Sequence, residues 1–181
     1  PAGQILDARA FVNGIVGLMA TGGSTNLVLH LPAMARAAGI LLELDDFDAL
    51  SAVTPLMARV YPNGLADVNH FHAAGGLAYM IGELLDAGLL HADVRTIAGD
   101  GLARYCEEPR LKPDVAAGEA EGAARDAQEP EAVTEAAAGT AGAALHWVPA
   151  WAPGARASLN TRILRPAGDP FQPSGGLRRL D

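Results

Sequence analysis

The chain has 181 residues, of which 50% are hydrophobic and 19% are charged, so it is long and apolar enough for a globular domain with a core. Its formal net charge of −8 argues against a nucleic-acid-binding protein, which needs a basic face. No apolar run reaches the roughly 18 residues of a membrane-spanning helix, no secretory signal is visible, and the single cysteine, Cys106, cannot form an internal disulfide. We therefore expect a cytoplasmic protein without membrane partners.

Two helices are predicted near the start of the chain. Asp7 is a good N-cap for a helix over about residues 8–20, whose apolar side chains lie on more than one face and predict deep burial. A second helix is predicted over about residues 25–38, where Gly39 is a suitable terminator. Pro32 lies inside this helix and is expected to kink it or to tighten its first turns.

The turn between these helices, ATGGSTN, is the most informative stretch of the chain. Its glycines allow backbone N–H groups to approach an anion, and a helix N-terminus favours negative charge. Ser24, Thr25 and Asn26 are all residues that cap helices. The turn is therefore a candidate site for a small acid or a phosphate, with Gly23 and these three residues in contact with substrate oxygens. An ordinary helix-capping turn is the alternative that the residues leave open.

Residues 40–44 predict a short strand, after which Asp45 and Asp46 are expected to cap a short helix ending near Ala52. Together with Asp48, these carboxylates resemble a cation site. Helix capping explains them better, because acidic side chains are common at helix N-termini.

A pair of histidines follows a turn in the middle of the chain. Residues 55–61 (PLMARVY) predict either a strand or a short helix, and residues 62–64 (PNG) predict a turn. His70 and His72 are two apart, so in an extended segment both would point to one side, beside Asn69. This arrangement favours a contact with a substrate phosphate or a proton relay. The alternative is two partly buried histidines that only form hydrogen bonds. Two histidines without a third ligand are weak evidence for a metal site.

The next part of the chain predicts an amphipathic helix over about residues 77–86 that Gly88 stops. Beyond it, either Asp93 caps a short helix or residues 94–98 form a strand, and a last helical turn or two is predicted over residues 102–108. This alternation of helices and short apolar strands predicts an α/β fold.

Other side chains that can carry chemistry are predicted to be structural. His30 lies among leucines and is expected to be packed, whereas His91 follows two leucines near a turn and is expected to be exposed. Cys106 is expected to be a small core-facing residue or a surface thiol. Trp147 and Trp151 are expected to anchor the tail of the chain.

Residues 113–144 are rich in Ala, Glu and Gly and have almost no large apolar side chain, which predicts a flexible insertion or linker. Three long stretches around it resemble the dihydroxy-acid/6-phosphogluconate dehydratase family: NGIVGLMATGGSTN, DDFDALSAVTPLMARVYPNGLADVNHFHAAGG and ELLDAGLLHADVRTIAG. The resemblance is close over residues 1–112 and resumes at TRILRPAGDPFQPSGGLRRL. YPNGLADVNHFHAAGG favours the phosphogluconate branch, although members of that branch commonly have histidine where this chain has Leu27.

The resemblance implies a hydro-lyase that dehydrates 6-phospho-D-gluconate to 2-dehydro-3-deoxy-6-phospho-D-gluconate in the Entner–Doudoroff pathway of gluconate metabolism. There are two alternatives. One is a sister dehydratase that acts on another sugar acid or on a 2,3-dihydroxy acid, and the other is a non-catalytic remnant that binds anions. The family implies a 4Fe-4S iron–sulfur cluster, with a divalent cation such as Mg²⁺ as a further cofactor. Cys106 does not match the family's cluster cysteines, and the family's metal ligands and serine base also lie outside these residues. We therefore expect an internal fragment that has no catalytic residue and is inactive alone.

The resemblance also implies a domain layout and an assembly. Residues 1–112 would be the later part of an N-terminal α/β domain, and residues 145–181 would lead into the start of a C-terminal β-barrel-like domain. The stretch 113–144 is longer than the family's usual connection. The full-length enzyme is expected to be a homodimer or a higher homo-oligomer that binds a phosphorylated sugar acid.

Overall fold

The computed structural model describes residues 1–114 and 146–177, and within them helices predominate over short β-elements. The helices are α1 Ala8–Thr21, α2 Asn26–Ala37, α3 Leu44–Val53, α4 Val68–Ala73 and α5 Gly76–Asp86. None of the helices in these described ranges combines the length and apolarity needed to cross a membrane. The architecture of mixed helices and small sheets agrees with the predicted α/β class at this coarse level.

Two small sheets follow the helices in the chain. β1 (Arg95–Thr96) and β2 (Gly99–Asp100) form an antiparallel hairpin. A 3₁₀ turn at Ala103–Cys106 then leads into β3 (Glu107–Asp114), which pairs with β4 (His146–Pro153). Of the two alternatives predicted after α5, the strand is therefore correct. The helical turn predicted over residues 102–108 is present only as the 3₁₀ turn.

The described residues belong to two packing units. One comprises Pro1–Glu108 and Ala152–Asp181, described up to Leu177, and it contains the helices. The other is Pro109–Trp151, of which the described part belongs to β3 and β4. The predicted linker over residues 113–144 lies outside the described residues, except for its first two positions. The side chain of Trp147 also lies outside them.

Helix α1 lies at the centre of the core, as its sequence predicts. The Asp7 carboxylate accepts a hydrogen bond from the Ala10 N–H at 2.9 Å and starts the helix, and Gly22, with a φ of 61°, ends it. The buried side chains of α1 are Phe11, Ile15, Val16, Leu18, Met19 and Ala20. All of them except Phe11 divide between two hydrophobic clusters, one shared with α5 and the other with Phe47 of α3. One helix therefore joins both parts of the core.

Residues 56–60 adopt an extended conformation, which decides between the strand and the helix predicted there. This extended segment forms antiparallel bridges from Leu56 to Gln172 and from Ala58 to Leu164. The Arg59 N–H donates to the Ile163 carbonyl at 2.8 Å, so the tail of the chain runs alongside the segment. Residues far apart in sequence become neighbours along this line.

The strand predicted over residues 40–44 is wrong. The Ile40 N–H donates to the Ala35 carbonyl at 2.8 Å and completes the end of α2, and no strand lies beside these positions in the described ranges. Glu43 is the N-cap of α3, and its N–H donates to the Asp46 carboxylate at 2.8 Å. Asp46 therefore caps the helix from within its first turn. The apolar run that suggests a strand is the half-buried connection between two helices.

The prediction for His30 is also wrong, because its side chain is exposed. Helix α2 lies on the surface with Ala35 as its buried residue, and Leu29 beside His30 is 72% exposed. His91 is exposed as predicted, and its N–H donates to the Asn13 side-chain oxygen at 2.8 Å. A run of leucines around a histidine therefore does not by itself indicate a buried helix face.

Three glycine-containing turns pack closely against one another at the end of α1. A Cβ atom on Gly176 would lie 2.3 Å from the Gly22 Cα, and a Cβ on Gly22 would lie 2.4 Å from the Asn63 Nδ2. The Gly176 N–H donates to the Met19 carbonyl at 3.0 Å, which draws the tail onto the helix end. Glycine is required at Gly176 because backbone, not a movable side chain, occupies the space.

We expect Gly176→Ala to destabilise the protein by about 1–3 kcal/mol, the usual cost of overpacking. The matched control is Gly168→Ala, since neither glycine has a positive φ and nothing lies within 4 Å of a Cβ at Gly168. The control should be neutral or stabilising by up to about 1 kcal/mol, because alanine restricts the unfolded chain. Urea unfolding measures both variants, and equal stabilities would contradict the close packing at Gly176.

Candidate functional site

The glycine turn satisfies much of its own hydrogen-bonding capacity. Ser24 Oγ accepts from the Asn26 N–H at 3.2 Å, so Ser24 caps helix α2, whereas Thr25 makes no such side-chain bond. The Leu27 and Val28 N–H groups donate to the carbonyls of Ser24 and Thr25, each at 3.0 Å. The first N–H groups of α2 therefore have partners already. An anion at this turn would depend more on side-chain donors than the sequence suggests.

Thr25 and Asn26 lie at the edge of a cavity of about 450 Å³, here named the turn cavity. Its lining residues are Met19, Thr25, Asn26, Val28, Leu29, Leu44, Phe47, Asp48 and Leu177. Its walls are mostly apolar with a few polar groups, which is typical of small-molecule sites. Gly23 and Ser24, also predicted as site residues, belong to the turn without lining the cavity.

The histidine pair lies on helix α4 and not on an extended segment, so this part of the prediction is wrong. The Asp67 carboxylate accepts from the N–H groups of Asn69 and His70, each at 2.9 Å, and thereby caps the helix. Residues two apart on a helix are rotated by about 200° around its axis, so His70 and His72 point to different sides. The helix forms because Asp67 is an N-cap, a signal that the sequence contains.

His70 and Asp67 form a second contact through their side chains. The His70 Nδ1 lies 2.8 Å from the Asp67 Oδ1, so the ring donates from Nδ1 and leaves Nε2 for another partner. The backbone N–H of His70, with its ring, holds the pKa of Asp67 below the usual value. A carboxylate that remains ionised fixes the orientation of the imidazole.

His70 lines a second cavity of about 520 Å³, here named the arginine cavity. Its lining residues are Arg59, Asn63, Gly64, Leu65, Ala66, His70, Asn160, Arg162 and Ile163. The predicted residues Asn69 and His72 line neither cavity, and His72 instead lies beside Gly76 at the start of α5. Of the predicted site residues, Thr25 and Asn26 thus line one cavity and His70 lines another, while the remaining four line neither. Asn63, which lines the arginine cavity, packs on Gly22 of the glycine turn.

Sequence reasoning missed three residues of the arginine cavity: Arg59, Asn160 and Arg162. The available signal is a charged residue inside the apolar run PLMARVY, next to a turn. The pairing of Arg59 with Ile163 brings the two arginines together, and a local pattern contains no information about such a pairing.

The described residues do not fit a metal or iron–sulfur centre. Residues 1–114 and 146–177 contain no group of three or more His, Cys, Asp or Glu side chains placed to hold a metal ion. Burial, together with the carboxylates of Asp86 and Glu107, raises the pKa of the Cys106 thiol. A single protonated thiol is unlike the several thiolates that hold a cluster.

Comparison with known proteins gives a consistent relationship. Residues 1–105 match the family model described as dihydroxy-acid/6-phosphogluconate dehydratase N-terminal. A phosphogluconate dehydratase of Rhizobium meliloti is 47% identical over 180 residues, 99% of this chain and 24% of that protein. One of Zymomonas mobilis is 45% identical over 181 residues, 100% of this chain and 24% of that protein. A dihydroxy-acid dehydratase of Sulfurisphaera tokodaii is 35% identical over 177 residues, which are 98% of this chain and 24% of that protein. The chain thus spans about a quarter of the length of the curated relatives it matches.

The stability contributed by Asp67 is expected to depend on pH. Folding lowers the pKa of this carboxyl below 3.8, so its contribution is present above that pH and is lost as the pH falls through the folded value. Asp67→Asn keeps a capping oxygen but cannot ionise, so its stability deficit relative to wild type should shrink between about pH 5 and pH 1. Urea unfolding across this range measures the deficit, and a constant difference would contradict the interpretation. Asp67→Ala, without a cap, should be less stable than Asp67→Asn throughout.

Proposed function

Because the chain belongs to the dihydroxy-acid/6-phosphogluconate dehydratase family, we propose that the protein containing it dehydrates 6-phospho-D-gluconate to 2-dehydro-3-deoxy-6-phospho-D-gluconate. The observation that carries this proposal is the gradient of identity. Over almost the same residues, identity is 47% and 45% to the two phosphogluconate dehydratases but 35% to the dihydroxy-acid dehydratase. This reaction would place the protein in the Entner–Doudoroff pathway.

The reaction requires groups that the described residues do not supply. A proton leaves the carbon next to the carboxylate, and hydroxide leaves the neighbouring carbon, so a Lewis acid must hold the hydroxide. An iron–sulfur cluster with an open iron, assisted by a divalent cation, supplies this chemistry when bound. One cysteine cannot ligate such a cluster. We assign the cluster ligands, the cation ligands and the base to other parts of the full-length protein, and the isolated chain is inactive.

This part of the protein contributes substrate binding. The Thr25 hydroxyl and the Asn26 amide, exposed at the edge of the turn cavity, are placed to hydrogen-bond substrate oxygens while the apolar wall excludes water. Leu27, which is 40% exposed, lies next to Asn26 without lining the cavity. Its replacement of the histidine common in the phosphogluconate branch therefore changes the surroundings of the site without filling it.

We propose a domain layout and an assembly on the basis of the same relationship. Residues 145–181 lead into the C-terminal β-barrel-like domain, and the full-length enzyme is a cytoplasmic homodimer or higher homo-oligomer. Support comes from large apolar side chains that are exposed in the described residues, such as Leu65 and Ile97, because such surface is usually covered in a complete protein.

The proposed function is tested with the full-length protein, reconstituted without oxygen and assayed on 6-phosphogluconate, gluconate and a branched 2,3-dihydroxy acid. Turnover of 6-phosphogluconate alone is the expected result. Turnover of only an unphosphorylated acid would identify a sister dehydratase, and no turnover despite a bound cluster would identify a non-catalytic remnant.

Asn26→Leu is expected to lower kcat/KM for 6-phosphogluconate by about 10- to 100-fold, because it removes a hydrogen bond to a charged substrate group. His30→Gln is the matched control, since His30 lies on the same helix and outside the turn cavity. The control should keep wild-type kinetics. Unchanged kcat/KM in Asn26→Leu would show that Asn26 has only a structural role.

A further inference from the structure

Two arginines, Arg59 and Arg162, line the arginine cavity, and both are exposed. Within the described ranges, neither Arg59 nor Arg162 forms an ion pair with an acidic residue, whereas Arg9, Arg95 and Arg165 do. No acidic residue lines the cavity. In a chain with a net charge of −8, two arginines left without such partners in one cavity indicate an anionic ligand.

The backbone and an aromatic ring hold Arg59 in place. Its N–H donates to the Ile163 carbonyl at 2.8 Å, which fixes the Arg59 backbone next to Arg162. The Arg59 guanidinium stacks over the Phe171 ring, 4.7 Å from the centroid. Stacking uses the face of the guanidinium and leaves the N–H donors along its edge for hydrogen bonds. The Arg165 guanidinium lies over the same ring, also 4.7 Å from the centroid. Arg59 is therefore held both by its backbone and by the Phe171 ring, next to the cavity that it lines.

Neutral donors complete the cavity. The Asn160 Oδ1 accepts from the Arg162 N–H at 3.1 Å, which directs the asparagine and leaves its NH₂ group as a donor. His70 is oriented by Asp67, whose carboxylate also accepts from the Asn69 and His70 N–H groups. When the ring is protonated, Nε2 becomes a further donor. Arginine edges, an amide and an imidazole are the groups that bind phosphate oxygens.

The other cavities differ in charge. A cavity of about 610 Å³ has Glu83, Asp86 and Glu107 in its lining, and these carboxylates would repel a dianion. The turn cavity is mostly apolar and includes Asp48. Of these three cavities, the arginine cavity is the one with two arginines and no carboxylate in its lining.

We propose that the arginine cavity binds the phosphate group of the substrate, a phosphomonoester dianion, through Arg59, Arg162 and Asn160, with His70 as a further contact. This inference rests on the proposed function and adds to it the residues that distinguish a phosphorylated from an unphosphorylated sugar acid. A volume of about 520 Å³ accommodates the phosphate with part of the carbon chain.

The test compares Arg59→Gln and Arg162→Gln in the full-length holoenzyme with wild type. Each variant is expected to lower kcat/KM for 6-phosphogluconate by about 10- to 100-fold, mainly through KM, and to weaken competitive inhibition by inorganic phosphate by a similar factor. Replacing either arginine by lysine should lower kcat/KM less than replacing it by glutamine, because lysine keeps the positive charge but lacks the paired N–H donors of the guanidinium group. Arg36→Gln, which removes an exposed guanidinium near the end of α2, should leave both readouts unchanged.

The outcomes separate the two proposals. If wild type does not turn over 6-phosphogluconate, the proposed function fails, and calorimetry with inorganic phosphate then decides whether the cavity binds the anion. If wild type is active and both glutamine variants keep its KM and phosphate inhibition, the phosphate site is overturned. Should a glutamine variant fail to fold, Asn160→Asp supplies the same test, because it puts a negative charge into the cavity at constant size. An unchanged KM in that variant would overturn the site equally.

Discussion

The backbone hydrogen bonds of the extended segment, residues 56–60, are the constraint on which the rest of the described structure depends. The Met57 and Ala58 N–H groups both donate to the Ala20 carbonyl, at 2.8 and 3.1 Å, in the last turn of α1, where carbonyls lack partners inside the helix. On its other edge the segment binds the tail through Arg59. Buried backbone groups must be paired, so the central helix, the segment and the tail are fixed relative to one another. The cavities are a consequence of this arrangement.

Both cavities occur where this arrangement meets a turn. The glycine turn leaves α1 directly beyond Ala20, and the turn containing Asn63 and Gly64 leaves the extended segment beyond Val60. Since Asn63 packs on Gly22, the two turns support each other. The polar groups of the cavities thus lie in or next to short turns, as Thr25 and Asn63 do, or on the elements that flank them, as Asn26 and Arg59 do.

Local features of the fold could be predicted from the sequence, whereas features that depend on distant pairing could not. Asp7, Gly39 and Gly88 mark helix ends correctly because a cap is decided by a few neighbouring residues. Residues 40–44 were expected to pair as a strand, but apolar content alone does not supply a partner strand. The two histidines would share one side only in an extended segment, but Asp67 caps a helix there. Thr25, Asn26 and His70 line cavities, and their predicted contacts with substrate stay a prediction, whereas Arg59 comes next to Arg162 only through the tail.

Gly64 has a consequence for how this protein can change. A Cβ atom there would lie 2.3 Å from the Arg59 carbonyl oxygen, so the wall of the arginine cavity has no room for a side chain at that position. Leu65, the next residue, lines the same cavity and is fully exposed. A side chain at Gly64 would thus force the backbone of the extended segment to move, whereas a substitution at Leu65 meets no such obstacle in the described residues. The shape of this wall is therefore set by main-chain atoms, which a change of side chain elsewhere in the cavity cannot replace.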